Sequence, residues 1–260
     1  MKNLINIFEE TLDKPDFEPK AKPEGEAKAL SFKIKPSMLG TPCERKLYYS
    51  CAGVKEDYGF DITGKKRMKL GDAIHEMLHS VYKKAGILIE YYNPDGSINK
   101  DWKDPSKDDL EFPLACPELF IKKGKIDAVL KMEDGLWLGE YKSINMNGFG
   151  SLMAPKPDHL IQAVTYWYVF NLLLAEGKFK HIKELEGYTK AKGVRWLYVN
   201  KDDTSFKEYT MTEGDAVFEK IVNKIMEVKD KYDKKILPPK TQDYCKTCNW
   251  RTKCKDNFNI

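Results

Sequence analysis

Residues 124–143 read GKIDAVLKMEDGLWLGEYKS, two apolar-rich runs on either side of an Asp-Gly pair. Val, Leu, Ile and Trp flanking Asp-Gly are the pattern of two antiparallel strands joined by a tight turn. With Asp134 and Gly135 as the turn residues, Glu133 stands across from Leu136 and Asp127 across from Lys142. Glu140, two residues before Lys142, shares its face and stands across from Val129. This register gathers Asp127, Glu140 and Lys142 into one cross-strand pair and its diagonal, roughly 5–8 Å between Cβ atoms. A three-residue loop breaks that alignment.

Two carboxylates and an ammonium on one sheet face suit a divalent-metal phosphodiesterase. Carboxylate oxygens hold hard cations such as Mg²⁺ or Mn²⁺, and the cation acidifies a bound water and offsets charge growing on the phosphate. The same three residues equally suit a solvated hairpin with one surface salt bridge, which contributes little to stability. The hairpin alone does not choose between these.

Upstream, residues 64–86, GKKRMKLGDAIHEMLHSVYKKAG, place Leu70, Ile74, Met77, Leu78 and Val81 at helical spacing. They predict a helix of roughly five turns stopped at Gly86. Inside it lies H-E-x-x-H (His75, Glu76, His79), the signature of a zinc metalloprotease. That chemistry needs a third ligand. The glycine and third histidine of the extended motif are missing, and Glu90, the nearest downstream carboxylate, falls in a predicted strand. Residues 59–66, GFDITGKK, end on Lys66 where an ATP-binding loop needs a hydroxyl for Mg²⁺, and no apolar strand precedes them. Lys65, Lys66, Arg67 and Lys69 suit phosphate contacts beside the His75 helix, and equally a solvated face.

Around these segments the chain reads as one α/β layer domain. Short helical turns capped by Ser37 are expected in 36–53, and a strand at 87–93. A polar loop follows over 93–109, then a long buried helix in 156–177 and a strand pair at 194–200 and 205–212. An amphipathic helix capped by Thr212 follows. Residues 1–30, charged and bearing Pro15, Pro19 and Pro23, predict a mobile arm. The hydrophobic content of 42% supports a folded core. The net charge of +4, from 44 basic and 40 acidic residues, neither favours nor excludes a nucleic-acid partner. The longest nearly apolar run, Ala163 to Ala175, is too short to span a bilayer, and the start lacks an apolar signal core. A cytoplasmic protein with no membrane association is therefore expected.

Three of the six cysteines, Cys245, Cys248 and Cys254, form C-x₂-C-x₅-C near the end of the chain. In a cytoplasmic protein this spacing points to metal rather than disulfides. Three thiolates leave one ligand missing from a tetrahedral set, and on donor chemistry alone a Cys₄ zinc site precedes an iron–sulfur cluster.

Taken together, GKID and EYK resemble the G-x-x-D and E-x-K elements of the PD-(D/E)XK nuclease superfamily. GDAIH is similar to the G-x-x-x-H element of its RecB-like exonuclease branch, and QAVTY (Gln162 to Tyr166) to that branch's Q-x-x-x-Y element. All four stand in the family's order. The resemblance covers residues 35–255 and implies a restriction-endonuclease-like core over 31–240, a central mixed sheet flanked by helices, with a cysteine-rich segment over 241–260. It implies His75, Asp127 and Glu140 as ligands of Mn²⁺ or Mg²⁺, Lys142 as a catalytic lysine, and His79 as an incidental neighbour. Gln162 and Tyr166, one helical turn apart, are expected to contact DNA. C-x₂-C-x₅-C after the motifs and one cysteine before them resemble the family's iron–sulfur subset, which includes CRISPR-associated exonucleases and AddB-type subunits. That likeness implies a [4Fe–4S] cluster in place of zinc, with Cys43 as its first ligand because CERKLYY is similar to the family's Cys-x-Arg segment; Cys51 is the alternative. Cys116 is expected to be structural. The implied activity is a metal-dependent DNA exonuclease acting on single-stranded ends, with partners in CRISPR adaptation or recombination. The rival from another class is a non-catalytic nucleic-acid-binding module of the same fold.

Overall fold

The architecture is that of a computed structural model, which describes residues 31–59, 61–100, 108–109, 111–241 and 248–259. The expected arm at 1–30 and the expected ligand Cys245 lie outside the described residues. In chain order come helices α1 (Pro36–Leu39), α2 (Glu44–Ala52) and α3 (Ile62–Lys84). Strands β1 (Leu88–Ile89), β2 (Asn99–Lys100), β3 (Asp108–Asp109), β4 (Phe112–Cys116), β5 (Ile121–Ile126), β6 (Ala128–Met132) and β7 (Gly135–Ile144) follow. The rest is α4 (Met146–Gly150), α5 (Pro157–Ala175), β8 (Gly193–Asn200), β9 (Phe206–Met211), α6 (Asp215–Asp233) and α7 (Arg251–Lys255).

Strand β7 organises the molecule because it is apolar on both faces, and a strand buried on both faces sits centrally. The main sheet has the order β1-β6-β7-β8-β9, with β7 and β8 parallel and the other pairs antiparallel. It is the central mixed sheet flanked by helices that the resemblance implies. Ala128, Leu130, Trp137 and Tyr141 pack on Leu78 of α3. Val129, Leu136, Leu138 and Trp196 face the other way, into a core shared with α5 and α6. The two layers follow from the period-two alternation along β6 and β7.

Several expectations need correction. The turn uses Glu133 and Asp134, so Met132 pairs with Gly135 and Ala128 with Gly139. Continuing this register puts Asp127 across from Glu140, not Lys142. The slip is two positions, so every side chain keeps its face; a slip of one would have reversed them. The run from Lys123 to Met132 is not one strand, since Asp127 occupies a bend between β5 and β6. A second hairpin joins β4, a strand that the sequence analysis does not anticipate, to β5. Helix α3 buries Leu78 with Ile74 and Tyr82 beside it, while Leu70, Met77 and Val81 of the expected apolar stripe are exposed. Helix α1 begins after Lys35, with Ser37 inside it, and α6 begins after Gly214 rather than Thr212. No described helix is long and apolar enough to cross a membrane.

The end of the chain docks firmly, although the stretch after Pro239 is short of apolar residues. Trp250 and Cys254 are buried, and the Trp250 indole donates to the Val54 carbonyl at 2.8 Å. Buried Arg45 on α2 donates to the carbonyl of Pro238 (2.7 Å), the carbonyl of Cys254 (3.3 Å) and Asn257 Oδ1 (3.0 Å). One guanidinium thus ties an early helix to the last segment, and its planar fork suits several acceptors at once.

Candidate active site

The bend at Asp127 aims its carboxylate and carbonyl in different directions, and each finds a partner. The Tyr141 amide donates to Asp127 Oδ2 at 2.8 Å, and His79 Nε2 lies 2.5 Å from the Asp127 carbonyl oxygen. A carbonyl only accepts, so Nε2 carries the proton. Burial lowers the His79 pKa, in keeping with a neutral ring. His79 is therefore not an incidental neighbour: it holds the backbone of the bend. That bond also takes it away from the histidine pairing on which H-E-x-x-H zinc chemistry depends.

Asp127 Oδ1 turns toward α3, where His75 Nδ1 lies 3.9 Å away. Glu111, immediately before β4, completes the group. One ligand atom each from His75, Glu111 and Asp127 lies within 4.8 Å of the other two. Phe112 pairs with Ile126, so continuing that register places Glu111 beside Asp127. The sequence reading missed Glu111. The alternation of Phe112, Leu114 and Cys116 marks the strand after it, but nothing in the chain names that strand's partner.

Glu140 and Lys142 sit deeper. Glu140 is 1% exposed, and its Oε1 lies 2.5 Å from Lys142 Nζ. Burial and the neighbouring Asp127 raise the Glu140 pKa, with Lys142 opposing them. Burial would lower the Lys142 ammonium, but Glu140 and Asp127 outweigh it and hold it protonated. Glu111 is pushed up to about 7 by burial and by Asp127, against the pull of Lys125, whose Nζ is 3.3 Å from Glu111 Oε2. Crowded, partly buried carboxylates of this kind make a strongly cation-seeking cluster.

Lys142 Nζ also donates to Gln162 Oε1 at 3.4 Å, and Gln162 Nε2 donates to the Tyr166 hydroxyl at 3.4 Å. Strand β7 and helix α5 are thereby joined through one polar chain. Tyr166 is 7% exposed, and burial pushes its phenol well above the usual range. Its ring lies over Gly124, where an added Cβ would come within 3.1 Å of Tyr166 Cε1. A buried ring is in no position to stack on a base. Tyr166 stands behind Lys142 and Gln162, and Gln162 is half-buried beside the ammonium.

The chain is similar in fold to SSO0001. The crystal structure of that protein matches 97% of this chain and 96% of its own at a TM-score of 0.51 and 16% identity. An alkaline exonuclease (LHK-Exo) from Laribacter hongkongensis aligns over 86% of this chain and 94% of its own, at a TM-score of 0.43 and 12% identity. No protein-family model matches the chain, and no curated protein matches it significantly in sequence.

Cys43, Cys248 and Cys254 line one pocket with Arg45, Lys46 and Arg251. Cys51 and Cys116 point elsewhere, into the apolar core. Burial drives the Cys51 thiol up to about 12, which makes it an inert packing group. Of the expected phosphate contacts, Lys65 and Lys66 are half-buried on the first turns of α3 and Arg67 is exposed beside them.

Proposed function

We propose that the chain is a PD-(D/E)XK-type, RecB-like nuclease that uses Mn²⁺ or Mg²⁺ to hydrolyse DNA from single-stranded ends. The observation that carries this reading is the meeting of His75, Glu111 and Asp127 beside the buried Glu140–Lys142 pair. The donor set fits a divalent cation: two carboxylate oxygens and an imidazole nitrogen, with further carboxylate charge from Glu140. A bound cation would acidify a water and offset charge on the phosphate.

The chain's own residues then have defined tasks. Tyr141 and His79 hold Asp127 from two sides, so its remaining oxygen is presented to the site. Lys142 stays protonated between Glu140 and Gln162 and supplies a fixed ammonium for the attacking water or the phosphate oxygens. Tyr166 backs Gln162 and keeps it turned toward Lys142.

We further propose a [4Fe–4S] cluster held by Cys43, Cys248 and Cys254 with Cys245. Three thiols share one pocket with three cationic side chains, which suits the net negative charge of a thiolate-ligated cluster. A structural Zn²⁺ is the alternative that metal analysis separates. The decisive experiment incubates the purified chain with an end-labelled single-stranded oligonucleotide and Mn²⁺. Nucleotide-by-nucleotide shortening, lost in Asp127→Asn, is expected. Binding without cleavage would replace the enzyme by a nucleic-acid-binding module.

A further inference from the structure

Helix α3 places Gly64, Arg67 and Gly71 at i, i+3 and i+7, on one face, and His75 is the next position of the same stripe. Gly64, Arg67 and Gly71 line one wall of a groove of about 750 Å³. Tyr58, Arg251 and Ser143, the last next in the chain after Lys142, line the same groove. From Gly64 to His75 is about 16 Å at the helical rise. The groove lies along α3 from Gly64 to Gly71 beside the cysteine-bearing segment and includes Ser143, and His75 stands one helical turn beyond Gly71.

Three features indicate its occupant. The chain has four arginines among 44 basic residues, and two of them, Arg67 and Arg251, line this groove. Guanidinium is the cation suited to phosphate and to stacking. The Arg251 guanidinium lies 4.2 Å from the centroid of the Tyr58 ring, which is 44% exposed, so the two make a flat plate open to solvent. Gly71 has no packing reason to lack a side chain. An added Cβ would meet only Ser143 Oγ at 3.6 Å, an ordinary contact, and glycine inside a helix lowers its stability. A bare helix surface there admits a close-lying ligand backbone. The wall bearing the plate is also fixed in place. Asp57 accepts from the Thr252 and Lys253 amides at 2.9 and 3.1 Å, and the Tyr58 hydroxyl bonds Thr252 Oγ1 at 3.0 Å. The groove's acidic residue, Asp61, is engaged as the α3 cap, accepting from the Gly64 amide at 2.7 Å.

We propose that this groove carries a single DNA strand to the metal centre, with the Tyr58–Arg251 plate stacking on a base and Arg67 meeting the backbone phosphates. The inference rests on the nuclease reading above. A groove walled by an aromatic plate and arginines tracks a single strand, because only unpaired bases expose their faces.

The test measures binding of a fluorescent single-stranded oligonucleotide to the full chain in EDTA, alongside thermal unfolding of each variant. Tyr58→Ala is expected to weaken binding about 5-fold to 150-fold, the range found for one lost stacking contact, and Tyr58→Phe to bind within about twofold of wild type. Gly71→Ala is the sharper probe: the unfolding midpoint should rise by about 1–4 °C while affinity falls. A merely structural glycine would not separate the two readouts. If wild type binds and cleaves the strand but Tyr58→Ala and Gly71→Ala bind as wild type does, the groove is refuted and the nuclease reading stands. If wild type neither binds nor cleaves, both fall. A blunt duplex bound as tightly as the strand refutes the stacking plate.

Discussion

Glu111→Gln should make the metal-free protein more stable, and the gain should grow with pH. Burial and the repulsion of Asp127 move the Glu111 carboxyl from 4.5 to about 7 in the folded chain. A raised folded value means that stability is fully present below about pH 4.5, is lost as pH rises through about 7, and is constant beyond. Each tenfold change in that protonation equilibrium is worth about 1.4 kcal/mol, so the full penalty reaches about 3 kcal/mol. The side chain is 26% exposed, and solvent screening trims this to about 2–3 kcal/mol. Glutamine keeps the shape and can still accept from Lys125, but it carries no charge. For a chain of this size the midpoint should rise by about 5–10 °C at pH 7.5 and change little at pH 4.5, in thermal unfolding with EDTA present. Added Mn²⁺ should reverse the order, stabilising wild type more than Glu111→Gln, because the cation needs the charge that destabilises the empty cluster. A difference between the two proteins that is the same at both pH values would refute the electrostatic reasoning. Equal stabilisation by Mn²⁺ would remove Glu111 from the ligand set.

Replacing the two α3 histidines should have different consequences. His75→Ala should lose Mn²⁺ binding, read by calorimetry, with little change in stability, whereas His79→Ala should keep Mn²⁺ binding but cost about 1–3 kcal/mol through the orphaned Asp127 carbonyl. Tyr166→Phe removes the hydroxyl behind Gln162, so turnover should fall severalfold with DNA affinity unchanged; weakened binding with normal turnover would restore the DNA-contact role. The anaerobically purified protein should be brown with about four irons per chain. Serine at position 43, 245, 248 or 254 should bleach it, and Cys51→Ser and Cys116→Ser should stay coloured. A colourless protein with one zinc would overturn the cluster and leave the nuclease proposal standing.

The α/β layering was legible because helical and alternating segments follow one another along the chain and α5 is too hydrophobic to lie on a surface. The face shared by Asp127, Glu140 and Lys142 was legible too, since a side-chain period of two survives the two-position error in the turn. Contacts between segments distant in the chain were not. Nothing local to Glu111 marks it, because its place is decided by the β4–β5 hairpin and a bend that the apolar run through Asp127 conceals. The His79 bond to the Asp127 carbonyl depends on how α3 lies across the sheet, so periodicity identified the helix without saying which imidazole faces a carbonyl.

Tyr166 shows the same division at one residue. Its spacing from Gln162 follows from the helical repeat, but whether that face meets DNA or the interior depends on packing against Gly124, 42 positions earlier. Cys43 and Cys254 likewise stand far apart along the chain, and the Arg45 fork that draws their segments together is visible only in three dimensions. Sequence by itself determined the elements, their faces and the residue types available for chemistry, because those depend on periods of two and 3.6. Tertiary structure decided which of those residues meet, because burial and long-range hydrogen bonds are settled only when separate elements pack.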